Sequence, residues 1–217
     1  NGFPVGSCLH SSITVFSFHP VKIITTGEGG LATTNDPLLA QRMSELRSHG
    51  ITKDEESFIF TPDGPWSYEQ QNLGFNYRMT DFQAALGLSQ LNRIDEFVQD
   101  RNAQLDNYRH LISDLPIHLL EVPKNVTSSV HLAVIRLHEV TAAKHRFGFE
   151  GMRGEGIGVQ LHYTPVHLQP YYRSLGFADG QFPESEAYAK SSISLPIFPG
   201  LSAHIQKKVI DILASFL

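Results

Sequence analysis

The sequence predicts an α/β protein, on three observations. Runs rich in β-branched and aromatic residues, such as ITVFSF, read as strands, and capped stretches with apolar residues at three- and four-residue spacing read as helices. Near Leu115 a long helical region gives way to a new mixture of strands and helices, which places a second, smaller α/β unit after the first. The expected division is 1–114 and 115–217.

Ile13 to Phe18 is the first strand candidate, and Gly29 to Thr34 offers a returning strand after the turn TTGEGG. Asn35-Asp36-Pro37 supplies helix-start chemistry, and Leu38, Leu39, Met43 and Leu46 carry the helical spacing to an end near Gly50. From Ile51 to Gln71 the chain is polar and irregular, with Pro62, Gly64 and Pro65 marking a loop. Thr80 or Asp81 caps a helical pattern in which Phe82, Ala85, Leu88, Leu91, Ile94 and Phe97 drift round one face, a single long helix reaching Ile112. Pro116 ends that region. Strands over Val130 to Leu137 and Gly158 to Tyr163 follow, separated by a helix from Thr141 to Gly151, and an amphipathic helix from Ala203 closes the chain.

The chain has 217 residues, 41% of them hydrophobic, enough for a substantial core. A net charge of -5 and a pI near 6.1 argue against broad nucleic-acid or anionic-membrane binding. No apolar run approaches the roughly 18 residues of a membrane span. Cys8 is the single cysteine, which excludes an intrachain disulfide and suits a reducing, cytoplasmic setting. The opening NGFPVGSCLH lacks the charged and apolar regions of a secretory signal, and its turn-like start suggests a chain that begins inside a domain.

One lysine, Lys22, stands between the apolar strand and the glycine-rich turn in SFHPVKIITTGEGG. A lysine amine becomes a nucleophile toward carbonyl compounds when burial or neighbouring charge favours its neutral form. Pro20 stiffens the backbone before Lys22, and the glycines after it let backbone approach a ligand closely. Spacing alone still favours a solvated lysine at a strand end.

The same stretch resembles the lysine-loop motif of the DegT/DnrJ/EryC1/StrS family of sugar-nucleotide aminotransferases. The resemblance continues through RSHGITK (47–53), NLGFNYRMTDFQAALGLSQL (72–91), VQLHYTPV (159–166) and SEAYAKSSISLPIFPGLS (185–202), and so covers nearly the whole chain. It implies a partial PLP-dependent transferase fold of type I: a remnant of the large domain followed by the small C-terminal domain. It also implies that Lys22 carries pyridoxal 5'-phosphate (PLP) covalently and acts as the catalytic acid/base. The form HPVK with ITTGEGG and RSHG looks most like the branch that aminates a UDP-4-keto-6-deoxy-N-acetylhexosamine in pseudaminic acid biosynthesis, with glutamate as donor and 2-oxoglutarate as co-product.

The resemblance further assigns Ser17 to the PLP phosphate, and Asn76 to the same phosphate across the interface of a homodimer. Read by itself, Asn76 is a turn residue. Arg78 is suited to substrate phosphate through paired hydrogen bonds, or to an ion pair with Asp81 or Glu69. The resemblance places His162 and Tyr163 near the sugar nucleotide, and His19 either tunes Lys22 or packs in its loop. Pro165 breaks the spacing that would align His162 with His167, and no further ligand completes a metal set. GEGG lacks the third glycine of a dinucleotide fingerprint, and no nucleophile elbow supports hydrolysis.

In this family the carboxylate on the pyridine nitrogen and the ring that covers its face precede the lysine motif. The expectation for 217 residues standing alone is therefore weak PLP affinity and little or no transamination. The competing expectation is a non-catalytic remnant or dimerisation module.

Overall fold

The computed structural model describes residues 2–217, and Asn1, the first residue of the expected opening turn, lies outside them. The chain folds as two compact units, Asn1–Ile94 and Asp95–Leu217.

In the first unit β1 (Thr14–Ser17) pairs antiparallel with β2 (Gly30–Thr33), in a register that sets Ser17 opposite Gly30. The strand, turn and returning strand expected of the sequence are present. A Cβ on Gly30 would stand 2.8 Å from the Phe16 carbonyl oxygen, so the tight end of this hairpin needs glycine. α1 (Pro37–Arg47) is started by Asp36, whose carboxylate accepts the Leu38 and Leu39 N–H groups at 2.8 and 3.2 Å.

The irregular stretch expected from Ile51 to Gln71 is closed at its base by a short antiparallel pair, β3 (Ile51–Thr52) and β4 (Glu69–Gln70). Glu69 organises the loop between them by accepting the Ile59 and Phe60 N–H groups, each at 2.8 Å. Those bonds hold its carboxyl below the usual carboxylate range.

α2 (Asp81–Leu91) opens with a capping box between Thr80 and Gln83. The single helix expected to reach Ile112 is interrupted: α2 stops at Leu91, and α3 (Ile94–Leu111) starts afresh. The Arg93 N–H bonds the Gln90 carbonyl at 3.0 Å, a three-residue turn that tightens the helical ladder and ends it. The apolar stripe expected on α2 lies open at Phe82, 91% exposed, and Leu88, 63% exposed. Side-chain periodicity reports a stripe, and only neighbours decide whether the stripe is covered.

The second unit is built on a three-stranded antiparallel sheet, ordered β5 (Ile117–Leu119), β6 (Ala133–Leu137) and β7 (Ser192–Leu195). α4 (Ala142–Gly154), capped by Thr141, and α7 (Ala203–Ala214), capped by Ser202, contribute to the core with α3. Two helices the sequence reading did not anticipate, α5 (Pro170–Ser174) and α6 (Pro183–Ser191), precede β7. Ile135, Ile193, Met152, Val209 and Leu213 form the buried centre. Tyr108 is sealed in it and donates its hydroxyl to the Pro196 carbonyl at 2.8 Å. Arg101, buried on α3, spans the carbonyls of Val130, His131 and Ile197 at 3.2 to 3.4 Å and so fastens two loops to one helix.

The strand expected over Gly158 to Tyr163 reduces to one antiparallel bridge between Gln160 and Ser194. The next N–H, of Leu161, is taken by the Gln160 side chain at 2.9 Å, and Pro165 soon follows, so the ladder cannot propagate.

Candidate active site

Lys22 sits in the turn between β1 and β2, half-buried, with its backbone N–H bonded to the His19 carbonyl at 2.9 Å. Among the described residues its amine has no hydrogen-bond or ion-pair partner. Ser17 ends β1 on the same turn, exposed, and its Oγ accepts the His19 N–H at 3.4 Å, leaving the hydroxyl proton to donate elsewhere. His19 faces Glu28 at 3.8 Å, and its Nδ1 accepts from the Val21 N–H at 3.5 Å, so it braces the turn.

Asn76 and Arg78 belong to a segment strapped against the end of α1. His49 donates to the Phe75 carbonyl at 2.7 Å, Phe75 to Leu46 at 2.7 Å, and Tyr77 to Arg47 at 2.8 Å. The RSHG and GFNYR motifs are therefore one backbone construction. Gly50 and Gly74 meet at its start so closely that a Cβ on Gly74 would collide with the Gly50 nitrogen, and Gly50 adopts φ +70°. Residues alternate in direction here: Phe75 and Tyr77 stack at 4.8 Å, while Asn76 Oδ1 accepts from Arg78 Nε at 3.1 Å. That bond replaces the ion pair with Asp81 or Glu69 which the sequence also allowed. It leaves the Asn76 amide protons and the outer guanidinium nitrogens exposed to take an anion.

His162 and Tyr163 lie in the second unit. His162 Nδ1 and Ser194 Oγ share a 2.7 Å hydrogen bond, which ties the ring to β7. Tyr163 meets His162 edge to face at 4.6 Å and is itself exposed. The structure thus brings Ser17 and Lys22 onto one turn, Asn76 and Arg78 into one hydrogen-bonded pair, and His162 and Tyr163 into one aromatic contact. The Lys22 amine and Ser17 hydroxyl on one loop suit a ligand bearing a carbonyl and a phosphate, and the Asn76 carboxamide with the Arg78 guanidinium suits an anion.

Sequence reasoning missed two features. Thr25 and Thr26 dock the lysine turn on α2 through Gln90 and Gly87, contacts between residues more than sixty apart that no local pattern announces. His167, met in the sequence only as a poor metal ligand, is paired with Glu186 at 3.0 Å.

Comparison with known proteins follows the same line. The pattern of the DegT/DnrJ/EryC1/StrS aminotransferase family matches residues 1–214. The chain is 31% identical over its full length to the UDP-4-amino-4,6-dideoxy-N-acetyl-beta-L-altrosamine transaminase of Campylobacter jejuni, of which it covers 54%. Among solved structures, the PLP-form of Spr1654 from Streptococcus pneumoniae superposes with a TM-score of 0.88 at 30% identity, covering 99% of this chain and 53% of that one. PseC of Helicobacter pylori, an aminotransferase involved in the biosynthesis of pseudoaminic acid, superposes at 0.85 with 29% identity, covering 95% of this chain and 53% of its own. The fold is accordingly α/β and part of the type I fold of PLP-dependent aminotransferases. The chain spans about half the length of the curated relatives it matches. With the match running from residue 1 to the end of the last helix, the chain belongs to the DegT/DnrJ/EryC1/StrS aminotransferase family.

Proposed function

We propose that the whole protein is a PLP-dependent aminotransferase that moves an amino group from glutamate to a 4-keto sugar carried on UDP, a UDP-4-keto-6-deoxy-N-acetylhexosamine. The observation that carries this reading is the half-buried Lys22, whose amine has no hydrogen-bond or ion-pair partner among the described residues, on the loop that leaves β1 at Ser17. The transaminase activity named for the Campylobacter jejuni relative and the PLP-form of the Streptococcus pneumoniae structure support it.

When bound, PLP supplies an electron sink that makes a proton on the substrate's amine-bearing carbon removable. Lys22 Nζ holds the cofactor between turnovers, then accepts and returns that proton. Ser17 donates its hydroxyl to the cofactor phosphate, and Asn76 donates its amide to the phosphate held by a partner subunit, in a homodimer. Arg78, steadied by Asn76, neutralises substrate phosphate. His162, oriented by Ser194, hydrogen-bonds the sugar nucleotide, and the exposed Tyr163 ring stacks on it. Glutamate and 2-oxoglutarate exchange at the same centre, in the cytoplasm. Turnover is assigned to the whole protein, and 217 residues standing alone are expected to bind PLP weakly and turn over little or not at all.

The test is incubation of the full-length protein with PLP, reduction with borohydride and peptide mapping. A reduced adduct on Lys22 is expected; an adduct confined to other lysines, or none, overturns the assignment. A second reading, a non-catalytic assembly module, draws on the exposed Phe82 and Leu88 of α2. A chain that dimerises and never forms the adduct would favour it.

A further inference from the structure

The turn that carries Lys22 is gripped from one side by a single stripe of α2. Gln83, Gly87 and Gln90 follow one another at four- and three-residue spacing, so their side chains share a helix face. Gln90 Oε1 accepts the Thr25 N–H at 2.9 Å, and Gln83 Nε2 donates to the Glu28 carbonyl at 3.0 Å. Between them the helix comes close to the turn. A Cβ added at Gly87 would lie 2.8 Å from Thr26 Cγ2, and Thr26 is 3% exposed.

The other side of the turn is tied to Phe18, the residue just past the end of β1. Thr25 Oγ1 and the Thr26 N–H both donate to the Phe18 carbonyl, at 2.8 and 3.1 Å. Thr25, three residues after Lys22, therefore has its backbone donor committed to α2 and its side-chain donor to the Phe18 carbonyl. Gln83 adds a link of its own. Its amide oxygen accepts the Thr80 N–H at 3.0 Å in the α2 cap while its nitrogen holds Glu28, so one carboxamide joins the lysine turn to the helix start just beyond Asn76 and Arg78.

We propose that Gln90 and Gln83 are positioning residues for Lys22: they fix the turn so that the amine stays where a carbonyl ligand can reach it, without touching that ligand themselves. This rests on the PLP reading above. The physical reason is that a nucleophile on an unrestrained turn spends little time in a productive geometry, and each backbone tether removed lowers that fraction.

The test uses the full-length protein with Gln90→Met, which keeps the shape and loses the acceptor, and Gln90→Glu, which keeps an acceptor oxygen. Two quantities are read: hydrogen exchange at the Thr25 amide, and the rate of borohydride-trapped PLP attachment to Lys22 found by mass spectrometry. Gln90→Met should speed Thr25 exchange and slow trapping by roughly fivefold each, the scale of one lost hydrogen bond. Exchange in α7, in the other unit, should not change, and Gln90→Glu should restore both readouts. Unaltered Thr25 exchange in Gln90→Met overturns the inference, as does faster exchange with an unaltered trapping rate. A wild-type protein that traps no PLP on Lys22 defeats the PLP reading and this inference together. Wild type and Gln90→Met trapping equally well defeats the positioning role alone.

Discussion

His167 Nε2 and Glu186 Oε1 stand 3.0 Å apart with side chains only 7% and 8% exposed, and the same carboxylate oxygen accepts the Gly180 N–H at 2.7 Å. One acidic group thus joins the three-residue helix Val166–Leu168, the Gly180 turn and α6. The exposed aromatic stretch holding Tyr171, Tyr172 and Phe177 is closed at its base by this pair.

The hydrogen bond from His167, followed by that from Gly180, holds the Glu186 carboxyl below its ordinary value of 4.5. A carboxylate depressed on folding stabilises the fold above its unfolded pKa, and that contribution is lost as pH falls through the folded value. The melting temperature of the wild type should therefore drop more steeply as pH falls below the ordinary carboxylate range than that of Glu186→Gln, which carries no charge to lose. Thermal unfolding followed by circular dichroism would check this, and parallel curves would contradict it.

Lys22→Ala in the full-length protein should abolish both covalent PLP attachment and turnover. A retained activity would remove Lys22 from the mechanism.

Asn76→Ala should raise the PLP dissociation constant more than it lowers kcat, because a phosphate contact is made equally in ground and transition states. The freed Arg78 also loses its 3.1 Å partner. A titration followed by cofactor absorbance would give the first quantity and a coupled glutamate assay the second. An unchanged dissociation constant would contradict the assignment to phosphate.

Tyr108→Phe removes the hydroxyl that satisfies the Pro196 carbonyl and should cost about 1–2 kcal/mol in denaturant unfolding. Burial also pushes the Tyr108 phenol up to about 12. An acid whose pKa rises on folding stabilises fully below its unfolded value and loses that contribution above it, so the wild type should weaken from about pH 10 upward and Tyr108→Phe should do so less.

Features set by a few neighbouring residues were legible in the sequence. Asp36 before Pro37 and Thr80 before Asp81 start helices, because a cap is a contact within one turn of chain. The β1–β2 hairpin followed from strand composition and glycines, and the lysine motif pointed to Lys22 by resemblance before any geometry was known. Contacts between distant residues were not legible. Whether the apolar stripe of α2 is covered, where α2 stops, and that Gln160 makes only one bridge to Ser194 depend on what each segment meets in three dimensions. A helix presents every side chain it carries, and a sequence period cannot say which face finds a partner.

The sequence by itself determined the α/β class and the family, and singled out Lys22 by resemblance, since these reside in local propensity and in short motifs. Only the tertiary structure decided what holds that lysine's turn and what closes the aromatic stretch, because Thr25 with Gln90 and His167 with Glu186 become neighbours through folding alone, and a hydrogen bond requires its two atoms within about 3 Å.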